Sequence, residues 1–202
     1  MALTTTDSER KRVPAAQRRA GVLRAAATLF AERGYAGTRL DDVAAAAGVT
    51  KPIVYRHFDS KKALYVALLD KHEADLPTFF ERVARVAPDL APDALVRLIL
   101  EHWLDYVREN RHAWAMLFRD ASGDDELRRR RLEVSARARE VMAGFVAAVG
   151  GARVPAEQVE PTAELLTSGL AGLALWWIDR PDVPKHTVVD AAARLCVPVV
   201  AG

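Results

Sequence analysis

Apolar residues recur along this chain three and four positions apart and never alternate with polar ones over the length of a strand, so the pattern predicts helices throughout. Val22, Leu23, Ala26, Ala27, Leu29 and Phe30 form one stripe on a first helix over residues 14–33, which Gly34 is placed to end. Asp59 and Ser60 read as a break with Ser60 as cap, after which Ala63, Leu64, Ala67 and Leu68 resume the helical spacing. Pro77 interrupts that run, so either the helix kinks there and continues to Ala87 or a new one starts. Pro88 and Pro92 bracket a linker. Residues 93–109 are strongly amphipathic through Leu95, Leu98, Ile99, Trp103 and Tyr106, and residues 111–120 follow with Trp114, Leu117 and Phe118. Ser122-Gly123 precedes a long helix over 124–149, closed by Gly150-Gly151. Residues 156–179, with the run LLTSGLAGLALWWI, are apolar on most sides, and so is the last segment, 187–200, with Pro198 near its end. With no repeat or low-complexity stretch, the fold class is all-α.

The clearest punctuation lies in residues 38–58, TRLDDVAAAAGVTKPIVYRHF. Asp41 and Asp42 suit a helix N-terminus, and Thr38 with Asp41 has capping-box spacing, with Asp where Glu or Gln is usual. Gly48 is suited to the left-handed conformation that ends a helix. Thr50 or Lys51 then caps the next helix, with Pro52 in its first turn. The result is a helix-turn-helix over residues 39–58. Val54 and Phe58 turn inward with Val43, Ala47 and Val49, leaving Lys51, Ile53, Tyr55, Arg56 and His57 on the other faces. Such a set suits duplex DNA: Thr50, Lys51, Tyr55 and His57 can donate to phosphate oxygens, Arg56 can fork onto guanine, and Pro52 and Ile53 can touch a thymine methyl. The first helix packs beneath as scaffold, with Arg18 and Arg19 as phosphate neighbours.

The stretch GYAGTRLDDVAAAAGVTKPIVYRHFDSKKALYVALL resembles the N-terminal DNA-binding domain of the TetR family of transcriptional repressors, in which a Gly-Tyr follows helix one and Tyr-x-His-Phe ends the reading helix. The resemblance implies an N-terminal three-helix DNA-binding domain over residues 16–76 and a C-terminal helical ligand-binding and dimerisation domain over 77–202. It further implies phosphate contacts from Thr38, Thr50, Tyr55, His57 and Lys61, and base contacts from Lys51, Pro52, Ile53 and Arg56. The chain departs from the family pattern at Arg39, Lys62 and Ile53. The first two are expected to add positive charge beside the DNA face, and Ile53 leaves the base preference open.

Charge sharpens the picture. The formal net charge is only +2, but residues 1–60 hold 10 Lys and Arg against 6 Asp and Glu, leaving 19 against 21 for the rest. Part of that excess sits in residues 1–15, expected to be a disordered basic arm with Arg10, Lys11 and Arg12 able to reach an adjacent groove. The block Arg128 to Arg131 is interleaved with Glu126, Glu133 and Glu140 and reads as a solvated face instead. A single cysteine, Cys196, excludes an intramolecular disulfide and a Cys-cluster metal site. No apolar run reaches the roughly 18 residues of a membrane span, and the polar start has no signal-peptide h-region, so a cytoplasmic location is expected.

Two predominantly apolar helices at the end of a chain this small exceed what one core needs, which predicts a homodimer through them. The family resemblance implies that they form a four-helix bundle with the partner's pair, that the two-fold axis spaces the reading heads for a near-palindromic operator, and that a small-molecule inducer enters the helical core. Trp103, Tyr106, Trp114, Met116, Phe118, Phe145, Trp176 and Trp177 are the candidate lining, with Glu101, His102 or Asp105 as polar anchors and an uncharged or cationic aromatic molecule as ligand. No cofactor is implied. An enzyme is disfavoured: His57, His72, His102, His112 and His186 form no zinc-hydrolase pair, and neither a Gly-rich phosphate loop nor a G-x-S-x-G elbow occurs. A helical adaptor that has lost DNA binding is the alternative, separable by a salt-sensitive mobility shift.

Overall fold

The structure, a computed structural model, describes residues 14–86, 89–119 and 124–200. Among them are nine α-helices: α1 (Ala15–Gly37), α2 (Leu40–Ala46), α3 (Lys51–His57), α4 (Lys61–Val86), α5 (Pro92–Glu109), α6 (Arg111–Arg119), α7 (Asp125–Gly150), α8 (Ala156–Ile178) and α9 (Lys185–Val200), with a 3-10 turn at Gly151–Arg153. The described residues contain no strand, and none of their helices is long and apolar enough to cross a membrane. The arm expected before residue 14 lies outside the described residues, as do Pro88 and the Ser122-Gly123 break.

Local chemistry accounts for most helix ends. Gly34 takes φ 69° and ψ 173°, so the first helix breaks where expected, but one further turn runs on to Gly37. Gly48, at φ 65°, makes the tight turn between α2 and α3 that a side-chain-bearing residue would strain. Pro52 lies in the first turn of α3, and the Ser60 hydroxyl accepts the Ala63 N–H at 3.0 Å to start α4. Asp124 caps α7 by accepting from the Glu126 and Leu127 N–H groups at 3.0 and 3.2 Å. Pro77 does not end α4, which continues through it to Val86. The last helix begins at Lys185, two residues before its apolar run.

Two cores result. The first joins α1 to α4 around Val22, Phe30, Val43, Val54, Phe58, Leu64 and Tyr65, and it also takes in Ala113 and Met116 of α6 and Leu127 and Val134 of α7. The second packs Val96, Leu100 and Leu104 of α5 against Val146, Trp177, Val188, Val189 and Cys196 from α7, α8 and α9. Two charged links brace the first core against α7. Lys62 pairs with Asp124 at 2.9 Å and Glu126 at 2.8 Å, while Arg130 holds Asp70 at 2.7 Å and also Glu73. These two residues correct the charge reading. Lys62 faces α7 and not the DNA side, and Arg130 is largely buried as an inter-helix clamp and not part of a solvated face.

Candidate nucleic-acid interface and ligand cavity

The reading helix α3 is held from below. Val54 is fully buried and Phe58 nearly so, against Val43 and half-buried Ala47 and Val49. With those residues as anchor, Thr50, Lys51, Pro52, Tyr55 and Arg56 stand exposed along the other side, and Ile53 and His57 are half-buried at its margins. Arg39, at the start of α2, is exposed beside them. Lys51 pairs with Asp41 at 2.7 Å and lies 5.9 Å from the Tyr55 ring centre. Arg19 stacks over Phe58 at 5.1 Å, which brings α1 to the same surface. Arg18, Arg19 and Arg56 surround His57, and together with burial, the larger cause, they lower its pKa; its Nε2 is enclosed without a partner.

Two of the expected phosphate contacts point elsewhere. Thr38 is only 1% exposed, and its hydroxyl donates to the carbonyls of Gly34 at 2.8 Å and Leu29 at 3.1 Å. It closes the end of α1 and makes no cap for α2, whose N-cap is Arg39. Lys61 places its ammonium on the carbonyls of Tyr35 (2.7 Å), Thr38 (3.0 Å) and Ala36 (3.4 Å), over the Tyr35 ring. Its three protons meet three main-chain oxygens at the end of the helix, one of which, on Tyr35, also accepts the Thr38 N–H, so it ties α4 to α1.

A cavity of about 270 Å³ lies among α4, α5, α6, α7 and α8. Of the expected lining, Trp103, Tyr106, Trp114 and Phe118 are there. The others are not. Met116 is fully buried in the first core, Phe145 and Trp177 pack in the second, and Trp176 is exposed on the outer face of α8. Trp177 faces inward because its indole N–H is taken by the Val183 carbonyl at 2.9 Å. The expected polar anchors are also displaced: His102 bonds the Leu98 carbonyl, Asp105 holds Lys185 and Arg108, and Glu101 is exposed.

Their place is taken by His72 and Asp75 of α4, which the spacing analysis did not single out. His72 Nδ1 lies 2.6 Å from the Tyr106 hydroxyl, which donates to Asp75 Oδ2 at 3.2 Å, and Lys71 neutralises Asp75 at 2.5 Å. Giving the phenolic proton to Asp75 puts the imidazole proton on Nδ1 and leaves Nε2 an acceptor. Burial pushes His72 down to about 4 and the Tyr106 phenol up, so both are neutral at pH 7. A signal was present: Leu68, His72 and Leu76 fall on one face at spacings of four, so the histidine sits in an apolar stripe.

Two helices join the cavity to the reading head. On α4, Lys61 grips the end of α1 while His72, roughly 16 Å further along at 1.5 Å per residue, lines the cavity. On α6, Met116 sits in the head's core while Trp114 and Phe118 line the cavity. Outside, α8 and α9 present Leu165, Trp176, Leu195 and Val199 to solvent.

Residues 22–68 match the family described as bacterial regulatory proteins, tetR family. Over 107 residues, 53% of the chain and 48% of the relative, the chain is 33% identical to the HTH-type transcriptional activator FasR of Mycolicibacterium smegmatis. Over 40 residues, 20% of the chain and 22% of the relative, it is 55% identical to IcaR, the negative transcriptional regulator of the icaADBC biofilm operon in Staphylococcus aureus. The matches thus span about half or less of these curated relatives. A TetR-like transcriptional regulator from Rhodococcus sp. RHA1 superposes with a TM-score of 0.68 at 25% identity, covering 95% of the chain and 100% of that structure. These relatives are transcriptional regulators and not enzymes.

Proposed function

We propose that this chain, which belongs to the TetR family of bacterial regulatory proteins, is a homodimeric repressor that binds a near-palindromic operator and leaves it when a small molecule fills the cavity. One observation carries the reading: Val54 and Phe58 are buried while Lys51, Tyr55 and Arg56, on the same short helix, are exposed. That division leaves a polar, cationic edge whose contacts among the described residues include an ion pair from Lys51 to Asp41 and the approach of Lys51 to the Tyr55 ring. Thr50 and Tyr55 would take phosphates, and Lys51, Pro52, Ile53 and Arg56 would read base edges. The half-buried His57 and the exposed Arg39 would flank them.

Dimerisation through α8 and α9 is supported by the apolar surface they leave open, which a monomer in water would not favour. Two heads on a two-fold axis, about 34–36 Å apart, would engage successive major grooves, and linking them raises the affinity of each by effective concentration. A ligand shifts the balance only by binding the DNA-free arrangement more tightly than the DNA-bound one. The cavity suits that task, since α4 and α6 each have one part in its wall and another in the head. The division of labour at about residue 77 then falls within α4.

The experiment is a mobility shift on DNA upstream of the chain's own gene, repeated across salt, followed by transcription from that promoter with and without the protein. A salt-sensitive shift and higher transcription without the protein are expected. No salt-sensitive shift would leave a helical binding protein without operator function.

A further inference from the structure

The charged groups on the cavity's wall say what kind of molecule it receives, an inference that rests on the inducible-regulator reading. Three aromatic rings form part of that wall: Trp103 and Trp114 meet edge to face at 5.9 Å, and the rings of Trp114 and Phe118 lie 5.1 Å apart. At about 270 Å³ the space exceeds the roughly 150 Å³ of a dry cavity that admits benzene, so it has room for a substituted or fused ring.

Those charged groups are unequally occupied. Asp75 receives two donors on one carboxylate oxygen, Lys71 at 2.5 Å and the Tyr106 hydroxyl at 3.2 Å. His72, beside it, is kept uncharged by burial. Among the described lining residues this leaves Arg139 of α7 as the fixed cation, and it is engaged along one edge only. Its Nε lies 3.1 Å from Glu164 Oε2, while Nη1 and Nη2, with four N–H donors between them, have no partner among the described residues. Arg139 lines the cavity and is still 40% exposed, which puts a cation where the apolar space meets water. Glu164 is outside the lining, and the Ser168 hydroxyl donates to its other oxygen at 2.9 Å, so the pair orients Arg139 without filling the cavity. Ser135, one turn before Arg139 on α7, lines the same space and adds a hydroxyl donor.

We propose that the cavity takes a ring-bearing monocarboxylate, with its apolar body in the cavity and its carboxylate on the open Nη edge of Arg139. That edge can hold both carboxylate oxygens in a fork, a charge-assisted arrangement about twice as strong as neutral hydrogen bonds. Because Arg139 stands where the space meets water, the carboxylate keeps part of its hydration and the cost of burying a charge is largely avoided. One cation already shared with Glu164 suits a single negative charge and not a dianion. Aromatic content alone suggested an uncharged or cationic molecule, since the spacing analysis did not place Arg139 on the wall.

The test uses the full-length, DNA-free protein and three probes of similar shape: 2-naphthoate, 2-acetylnaphthalene and 2-naphthylmethylammonium, titrated by calorimetry at pH 7.5. The acid should bind at least tenfold more tightly than the ketone or the amine. Arg139→Gln should lower naphthoate affinity about tenfold and leave the ketone's nearly unchanged. Glu164→Gln, which removes the competing carboxylate and keeps Arg139, should tighten naphthoate binding severalfold. In the unaltered protein, raising salt from about 0.05 to 0.5 M should weaken the acid and not the ketone, and these two measurements cover the case of a poorly folded Arg139 variant. A ketone or amine that binds as tightly as the acid, no naphthoate binding up to its solubility, naphthoate affinity unchanged in a folded Arg139→Gln variant, or weaker naphthoate binding in Glu164→Gln would each overturn the proposal. Because no DNA is present, these outcomes are separate from the operator experiment: a protein that shifts DNA but prefers the ketone or the amine remains a regulator with a different ligand.

Discussion

The Tyr106 hydroxyl lies 2.6 Å from His72 Nδ1, a hydrogen bond that links α5 to α4 inside the cavity wall. The imidazole is 5% exposed, with Lys71, Asp75 and Tyr106 around it, and burial holds its pKa at about 4 against an ordinary 6.5. The unfolded chain therefore binds a proton at this histidine as pH falls below about 6.5, while the folded chain refuses it until about 4. Folding stability should drop across that window by up to about 3 kcal/mol and change no further from this group below it. Urea midpoints from pH 7 to 4 check this: His72→Gln should flatten the decline relative to the unaltered protein.

On the reading helix, Arg56→Ala should cost about 1–3 kcal/mol of discrimination between the operator and a variant with its contacted guanine replaced. Tyr55→Phe should weaken binding to both sequences alike, by about 1 kcal/mol, through one lost phosphate hydrogen bond. Both side chains are exposed, so melting temperatures should hardly move. Binding isotherms on the two duplexes, with thermal melts, decide it.

Lys61 gives the opposite pattern. With its ammonium on three carbonyls at the end of α1, Lys61→Met should destabilise the fold by about 1–2 kcal/mol in urea denaturation. The salt dependence of operator binding by the remaining folded protein should keep its slope. A slope lower by about one with unchanged stability would instead mark Lys61 as a phosphate contact.

Leu165 and Leu195 are 75% and 73% exposed on α8 and α9. Leu165→Glu or Leu195→Glu should be neutral for a monomer's stability but should place a carboxylate in an apolar interface. Sedimentation should then report monomers, with operator affinity reduced at least a hundredfold. A dimer that persists in both variants would place its interface elsewhere.

What the sequence determined by itself was whatever depends on neighbours a few residues away. The helical class, the break at Gly34, the turn at Gly48, Pro52 in the first turn of α3 and the inward pair Val54 and Phe58 all follow from caps, φ preferences and spacings of three and four. Tertiary structure decided which polar groups remain free and which aromatic faces meet a void. Lys61 finds its carbonyls 26, 25 and 23 residues back, Lys62 finds Glu126 64 residues on, and Arg130 reaches Asp70 across 60. The same holds in the cavity, where Trp177 turns into the core and His72 into the wall, because a side chain's surroundings depend on the packing angle of helices that local spacing does not encode.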